Sequence, residues 1–410
     1  MTNPSSPILD GIRVVEVSTY VFGPACATIL SDFGAEIIKV EPPGMGDPYR
    51  HLHLIRPNPV SDIPYMFLLD GRNKKSIVVD LKRDEGQKIV HELVDSADIF
   101  VTNYHQSVLA DLNLQYEDLQ ARNDRLIYAH ATGYGQEGPD VEQPGYDMTA
   151  YWARSGLMDL IRSADNDPAL SVAGLGDHPS SVSLFSAVML GLYQRERTGT
   201  GSKVSTSLIA NGAWANGCFI QGALAGAGPY TYPSRKTTPN PLVNHYTTRD
   251  EKRFILCGVR GEKDWQACCR SIDRPELAED PRYNSPEGRV KHSAEIIALL
   301  DTAFAKKDLA EWRDIFKSEE LTHSPVWNFQ DMADDPAMTA NDVIVPMDHP
   351  EYGPMRTVDS PMKVHGSQKV SPKAAPGLGQ HTEETLTNLG YSASEIEQLK
   401  STGIVETSTS

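Results

Sequence analysis

Apolar and polar positions switch between two periods along the first half of the chain. IRVVEVS at 12–18 is a short β-branched run. Gly23-Pro24 then opens a stretch with Ala27, Leu30 and Phe33 on one helical face, and AEIIKVE at 35–41 is a second short run. Strand, helix and strand within 12–41 make a βαβ unit. The alternation continues with SIVVDL at 76–81, a helical pattern carrying Ile89, Val90, Leu93 and Val94, DIFVTN at 98–103 and LIYAHATG at 126–133. The expected fold class is α/β: a Rossmann-like large domain whose mostly parallel sheet is covered by helices and takes ligands at the carboxyl ends of its strands. Those ends carry Tyr20-Val21-Phe22-Gly23-Pro24, Leu81-Lys82-Arg83 and Asn103-Tyr104-His105. Each alone is ordinary loop punctuation; together they mark one crevice. Gly23-Pro24 is neither a GxGxxG turn nor a P-loop, so dinucleotide and nucleoside triphosphate binding find no support.

A longer helical pattern runs from Pro179 to Arg197 and stops at RTGTGSK, and a further apolar helix is expected at 205–225. GAGPYTYPSRKTTPNP at 226–241 has the composition of a linker. Beyond it, strands such as RFILCGV mix with helices such as SAEIIALLDTAFA and LAEWRDIFK, the texture of a smaller α+β domain. Residues 321–380 are rich in Pro and turn residues with little periodicity and read as a connector over a surface. The expected organisation is a large domain at 1–200 completed by 381–410, a linker helix and loop at 201–241, a small domain at 242–320 and a return linker at 321–380. The last helical stretch, TEETLTNLG with SASEIEQLKSTG, precedes a Ser/Thr tail expected to be disordered.

AGLGDHPSS at 173–181 stands directly before the long helix. Asp177 is followed by Pro179, Ser180-Ser181 and the periodic Val182, Leu184, Phe185, Val188, Met189 and Leu192, which fits a helix cap. A cap does not need Gly174 and Gly176, which strip side-chain bulk from the approach to Asp177 and let another backbone or a ligand come close. A helix start also aims free N–H groups at gathering negative charge. One residue can therefore be cap and nucleophile.

Composition narrows the classes. The 410 residues, 40% hydrophobic and 23% charged, suit two or three globular domains. No apolar run reaches the length of a membrane span, and MTNPSSPILDG lacks the marks of a signal peptide, so the cytoplasm is the expected compartment. Cys26, Cys218, Cys257, Cys268 and Cys269 lack metal-ligand spacing, and the 12 histidines are scattered, so no metal is expected. Thirty-eight basic against 55 acidic residues leave a net charge of −17, a field that repels nucleic acid and anionic membranes.

The stretches LDGIRVVEVSTYVFGPACATILSDFGAEIIKVEPPGMGDPYR at 9–50 and NKKSIVVDLKRDEGQ at 73–87, then DIFVTNY, GYGQEGP, PGYDMTAYWARSG, AGLGDHPSS, RTGTGSKV, SPVWNF and APGLGQHTEETL, resemble the family III coenzyme A transferases. That group includes the formyl-CoA transferase and carnitine CoA-transferase types and the related α-methylacyl-CoA racemases. The resemblance implies that Asp177 is the nucleophile, forming an acyl anhydride and then a CoA thioester, with coenzyme A as substrate and no permanently bound cofactor. It implies that Tyr20, Val21 and Phe22 line the thioester end, that Val79, Leu81 and Lys82 meet the nucleotide, and that Asn103 and Tyr104 touch pantetheine or pyrophosphate. Tyr146 and Asp147 would position the substrate, beside Gly174 and Gly176. Related racemases carry Gly-His-Asp where this chain has Gly145-Tyr146-Asp147, and a phenol with a pKa of about 10 is a poor base there. Pro42 and Asp111 stand where formyl-CoA transferases carry arginines, leaving Arg72, Lys74, Lys75, Lys82 and Arg83 as the nearest basic cluster. Val21 aligns with their oxalate-handling Gln, and PSRKTTPNP has no glycine-rich flap, so the expected acid is larger and less polar, with Tyr20, Phe22, Tyr65, Phe67, Tyr151 and Trp152 as candidate walls. Partners implied are an acyl-CoA and a carboxylic acid, within an interlocked homodimer or a heteromer with a related chain.

Overall fold

A computed structural model describes residues 7–408 of the chain. The apolar runs become strands β1 (Arg13–Val17), β2 (Glu36–Glu41), β3 (Lys74–Val79), β4 (Ile99–Thr102) and β5 (Ile127–Thr132). With β6 (Ser202–Ser207) and β7 (Val405–Glu406) they form a seven-stranded sheet in the order β7-β3-β2-β1-β4-β5-β6. All pairings are parallel except that of β7, which runs antiparallel to β3 with Val405 opposite Val79. The sheet belongs to a unit made of residues up to Asp159, Leu170–Ala227 and Thr339 onward; the rest of the chain, Leu160–Ala169 and Gly228–Met338, forms a second unit.

Helix α1 (Phe22–Asp32) is buried along its whole length, because small residues such as Gly23 and the alanines let it lie against both the sheet and α4 (Asp177–Thr198). Its polar groups are satisfied internally: Thr28 Oγ1 donates to the Asp70 carbonyl at 2.6 Å, and Asp32 pairs with Arg72 at 2.7 Å. Asp70 and Arg72 come from and just beyond α2 (Tyr65–Gly71). On the other face, Ile89, Val90, Leu93 and Val94 of α3 (Asp84–Val94) are buried as their spacing predicts.

Four stretches differ from the sequence reading. The third strand starts at Lys74 instead of Ser76, because the Lys74 ammonium is buried against Glu16 Oε2 and the Pro24 carbonyl, each at 2.7 Å. Part of the helix expected at 205–225 is β6, a largely polar edge strand with Lys203 and Ser205 exposed and Val204 and Thr206 partly buried; two short helices, α5 (Leu208–Ala215) and α6 (Gly217–Leu224), follow it. Within 321–380, Ile344–His349 and Gly353–Val358 pair as a β-hairpin. The tail contributes β7, while Ser410 and its neighbour Thr409 lie outside the described residues.

The second unit has its own antiparallel sheet of Val243–Thr247, Arg253–Cys257 and His323–Pro325. Its core is aromatic, with Trp265, Phe254, Phe304, Trp312 and Phe316 all buried. Among the described residues no helix is long and apolar enough to cross a membrane.

Candidate active site

Strand β1 lies between β2 and β4, so the chain leaves it to one side and returns on the other; the carboxyl ends of β1 and β4 flank a topological switch point. A cleft of about 350 Å³ opens there. It is lined by Thr19, Tyr20, Val21 and Phe22 after β1, Asn103, Tyr104 and His105 after β4, Thr132 and Gly133 after β5, and by Gly145, Tyr146, Asp177 and Leu208. The loop after β1 is held from two sides. Asn103 accepts the Thr19 N–H at 3.0 Å and donates to the Thr19 carbonyl at 2.7 Å, and Asp47 accepts the Tyr20 N–H at 3.0 Å. Those bonds keep Tyr20 at φ 62°, a left-handed conformation uncommon for a bulky residue. Its ring meets that of exposed Tyr146 edge-on at 6.2 Å.

Seven of the sequence-predicted residues therefore share one cleft: Tyr20, Val21, Phe22, Asn103, Tyr104, Tyr146 and Asp177. Val79, Leu81 and Lys82 do not line it, since β3 is two strands away from β1; Val79 is buried in the core, and Lys82 is exposed. Of the proposed basic cluster, Arg72 is buried on Asp32, Lys74 is buried on Glu16, and Lys75 pairs with Glu36 and Glu384. Of the candidate aromatic walls, Phe67, Tyr151 and Trp152 are buried in hydrophobic clusters and do not line the cleft.

Asp177 is not the cap that its local pattern suggests. Gly176 occupies the cap position, Asp177 is the first helical residue, and no side-chain capping bond forms. The two glycines also serve the protein's own packing. A Cβ on Gly176 would sit 2.4 Å from the Tyr151 ring, and one on Gly174, at φ 81°, would sit 2.8 Å from the His178 ring. The Asp147 carboxylate lies near the backbone N–H groups of Met148, Gly174 and Gly176, at the start of the stretch 147–153. Its Oδ2 is buried without a hydrogen-bond partner.

The charges around this loop were not anticipated from the sequence. His178 lies between the Gly174 carbonyl, 3.2 Å from Nδ1, and both carboxylate oxygens of Asp70, 3.2 Å from Nε2. Tyr49 donates to Asp70 at 2.9 Å. Burial, the neighbouring charge of Asp147 and, more weakly, Asp70 push the Asp177 carboxyl up to about 7, against the opposing pull of His178. Burial works to lower the His178 imidazole, but the charge and hydrogen bond of Asp70 and the charge of Asp177 lift it to about 9. Burial raises Asp147 as well, ahead of the backbone N–H groups that oppose it. Beneath the loop after β1, Glu16 bridges Lys39 and Lys74 at 2.7 Å each, and Lys39 reaches Asp47 at 2.8 Å. His178 follows Asp177 directly, but nothing local links either to Asp70, 108 residues earlier. Among the described residues no group of three or more His, Cys, Asp or Glu side chains could hold a metal ion.

The CoA-transferase family III profile matches residues 9–382. The (R)-2-hydroxy-4-methylpentanoate CoA-transferase of Clostridioides difficile is 32% identical over 97% of this chain and 99% of its own length. The succinyl-CoA:glutarate CoA-transferase of Mus musculus is 32% identical over 97% of this chain and 90% of its own. A crystal structure of a CAIB/BAIF family protein from Brucella suis superposes with a TM-score of 0.82 at 25% identity, covering 94% of this chain and 100% of that one.

Proposed function

Because this chain belongs to CoA-transferase family III, we propose that it moves coenzyme A from an acyl-CoA donor to a free carboxylic acid through covalent states on Asp177. The observation that carries the reading is a carboxylate free of capping duty, lining the switch-point cleft at the start of a 22-residue helix. An Asp177 oxygen attacks the thioester carbonyl; the C–S bond breaks, CoA leaves as thiolate, and an aspartyl anhydride remains. The thiolate then attacks the Asp177 γ-carbon, releasing the donor acid as carboxylate and leaving an aspartyl-CoA thioester. An incoming carboxylate runs both steps in reverse and regenerates Asp177, with no net proton change. Positive charge at the helix start and from His178 offsets the oxyanions formed on the way.

In this scheme Tyr20, Val21 and Phe22 border the thioester, Asn103 and Tyr104 border pantetheine, Tyr146 and Asp147 hold the substrate and the glycine loop, and Leu81 and exposed Lys82 meet the nucleotide end. The acceptor presents one carboxylate to Asp177 and an apolar body to Tyr20, Phe22, Tyr146 and Leu208, because Val21 offers no hydrogen bond to a second carboxylate. The Clostridioides relative, named for a branched hydroxy acid, fits that shape; the mouse relative, named for glutarate, represents the competing outcome. The large unit carries this chemistry, and two chains assemble as a dimer, in keeping with the exposed Trp214, Leu224, Leu190 and Tyr193 side chains on its helices.

Incubation with isotopically labelled free acids and unlabelled succinyl-CoA or acetyl-CoA tests the reading. Label entering the thioester pool supports transfer, exchange of the α-proton alone points to racemisation, and neither points to a non-catalytic CoA-binding subunit. Oxalate or formate outperforming every larger acid would overturn the acceptor assignment.

A further inference from the structure

Resting on the reading of Asp177 as the residue that carries the acyl group, we infer that His178, locked onto Asp70, is a positioning residue that fixes the glycine loop and sets the charge state of Asp177. The ring has acceptors at both nitrogens. The Gly174 carbonyl can only accept, and the Asp70 carboxylate already accepts from Tyr49, so both His178 nitrogens carry protons and the ring is an imidazolium. Asp70 is 4% exposed, and a buried carboxylate requires such a counter-charge.

Gly174 is held through its carbonyl, 3.2 Å from His178 Nδ1, with the Asp147 carboxylate near its N–H. A side chain at Gly174 would strike the ring at 2.8 Å, so the loop and the imidazolium fit each other as one unit. The groups facing the ring are Asp70 from α2, Asp177 from its own helix and Asp147 from 147–153, while Tyr49 and Lys74 face Asp70 in turn. Three carboxylates thus share one nearby imidazolium. Removing it leaves Asp177 beside Asp147 and Asp70 with no positive charge to offset them, which favours the protonated, non-nucleophilic acid. The direction of the Asp177 and His178 shifts agrees with this balance. The His178 side chain keeps 40% of its surface exposed, so solvent screens part of the effect.

The decisive variant is His178→Gln, which keeps a hydrogen-bond donor and removes the charge. The acidic limb of its kcat/KM profile moves up by about one pH unit, kcat/KM at pH 6 falls about tenfold, and KM for acyl-CoA changes less than about twofold. A limb at the wild-type position overturns the inference. NMR titration of the His178 ring in the intact wild-type enzyme gives an independent readout: it stays protonated beyond pH 8, and Asp70→Asn returns it to the ordinary histidine range. Titration near pH 6.5 in the wild type also overturns the inference. Asp177→Asn with wild-type transfer sinks the nucleophile reading and this role with it. An inactive Asp177→Asn beside an unshifted His178→Gln sinks this inference alone.

Discussion

Asp177 is a carboxylate held where its charge is disfavoured, and that tension is measurable apart from catalysis. Its folded-state pKa, about 7, lies above the ordinary value of 3.8, so the folded protein binds more protons than the unfolded chain between those limits. Stability therefore falls as pH rises from about 4 to about 7 and does not recover above it. Asp177→Asn removes the term: we expect no transfer activity, an unfolding free energy higher than wild type by about 2–4 kcal/mol at pH 8, and no difference below pH 4, read by urea denaturation. An Asn variant that turns over normally, or is no more stable at pH 8, contradicts this account. Lys82 is the opposite case, an exposed cation with no part in the fold's buried pairs. Lys82→Glu should raise KM for acyl-CoA several-fold while KM for the acceptor acid stays level, because it removes attraction to phosphate without touching the carboxylate chemistry. Equal KM values for acyl-CoA would remove Lys82 from the CoA site.

Adjacent strands β1, β2 and β3 meet through charge as well as through apolar packing. Glu16 on β1, Lys39 on β2 and Lys74 on β3 are all buried, and each lysine reaches a different Glu16 oxygen at 2.7 Å. Burial works to raise Glu16, but the two ammonium groups outweigh it and hold the carboxyl low. Asp47 extends the network to the backbone of Tyr20, so the cluster that aligns the strands also shapes the loop entering the cleft. Glu16→Ala strands the buried Lys74 ammonium and leaves Lys39 with Asp47 alone, and we expect a loss of about 3–5 kcal/mol of unfolding free energy in urea titration. A loss below about 1 kcal/mol would mean that the lysines find other partners. The same cluster explains why β3 begins before its apolar run: a lysine with a buried partner behaves as a core residue.

The whole molecule adds constraints that no element carries alone. Its net charge of −17 opposes a polyanionic ligand at long range, so the proposed CoA site depends on local features of the cleft and on exposed cations, of which Lys82 is the candidate tested by Lys82→Glu. Trp214 is 87% exposed and Leu224 76%, on helices that follow β6 in the large unit. Side chains of that kind are covered in a working assembly, and sedimentation equilibrium should return twice the chain mass at micromolar concentration. A fully active monomer would refute the proposed dimer.

What could be read from the chain was the part encoded by near neighbours. Period-two and helical patterns placed β1, β2, β4 and β5 within a residue or two, and strand-end loops such as Tyr20-Val21-Phe22 and Asn103-Tyr104 converge on one cleft as a parallel sheet requires. The place of Asp177 at a helix start beside two glycines was legible, while the capping role that pattern suggests fell to Gly176. The strand at 202–207 was not legible, because an edge strand with Val204 as its one apolar residue lacks the apolar run that marks its neighbours. Nor could the pattern assign charges their places: Lys74 reads as surface until Glu16, 58 residues away, is beside it, and His178 reads as a helix residue until Asp70, 108 residues away, meets its ring. Periodicity reports only which face of an element is apolar, whereas the protonation state of Asp177 depends on which distant charges folding brings within hydrogen-bonding and Coulombic reach.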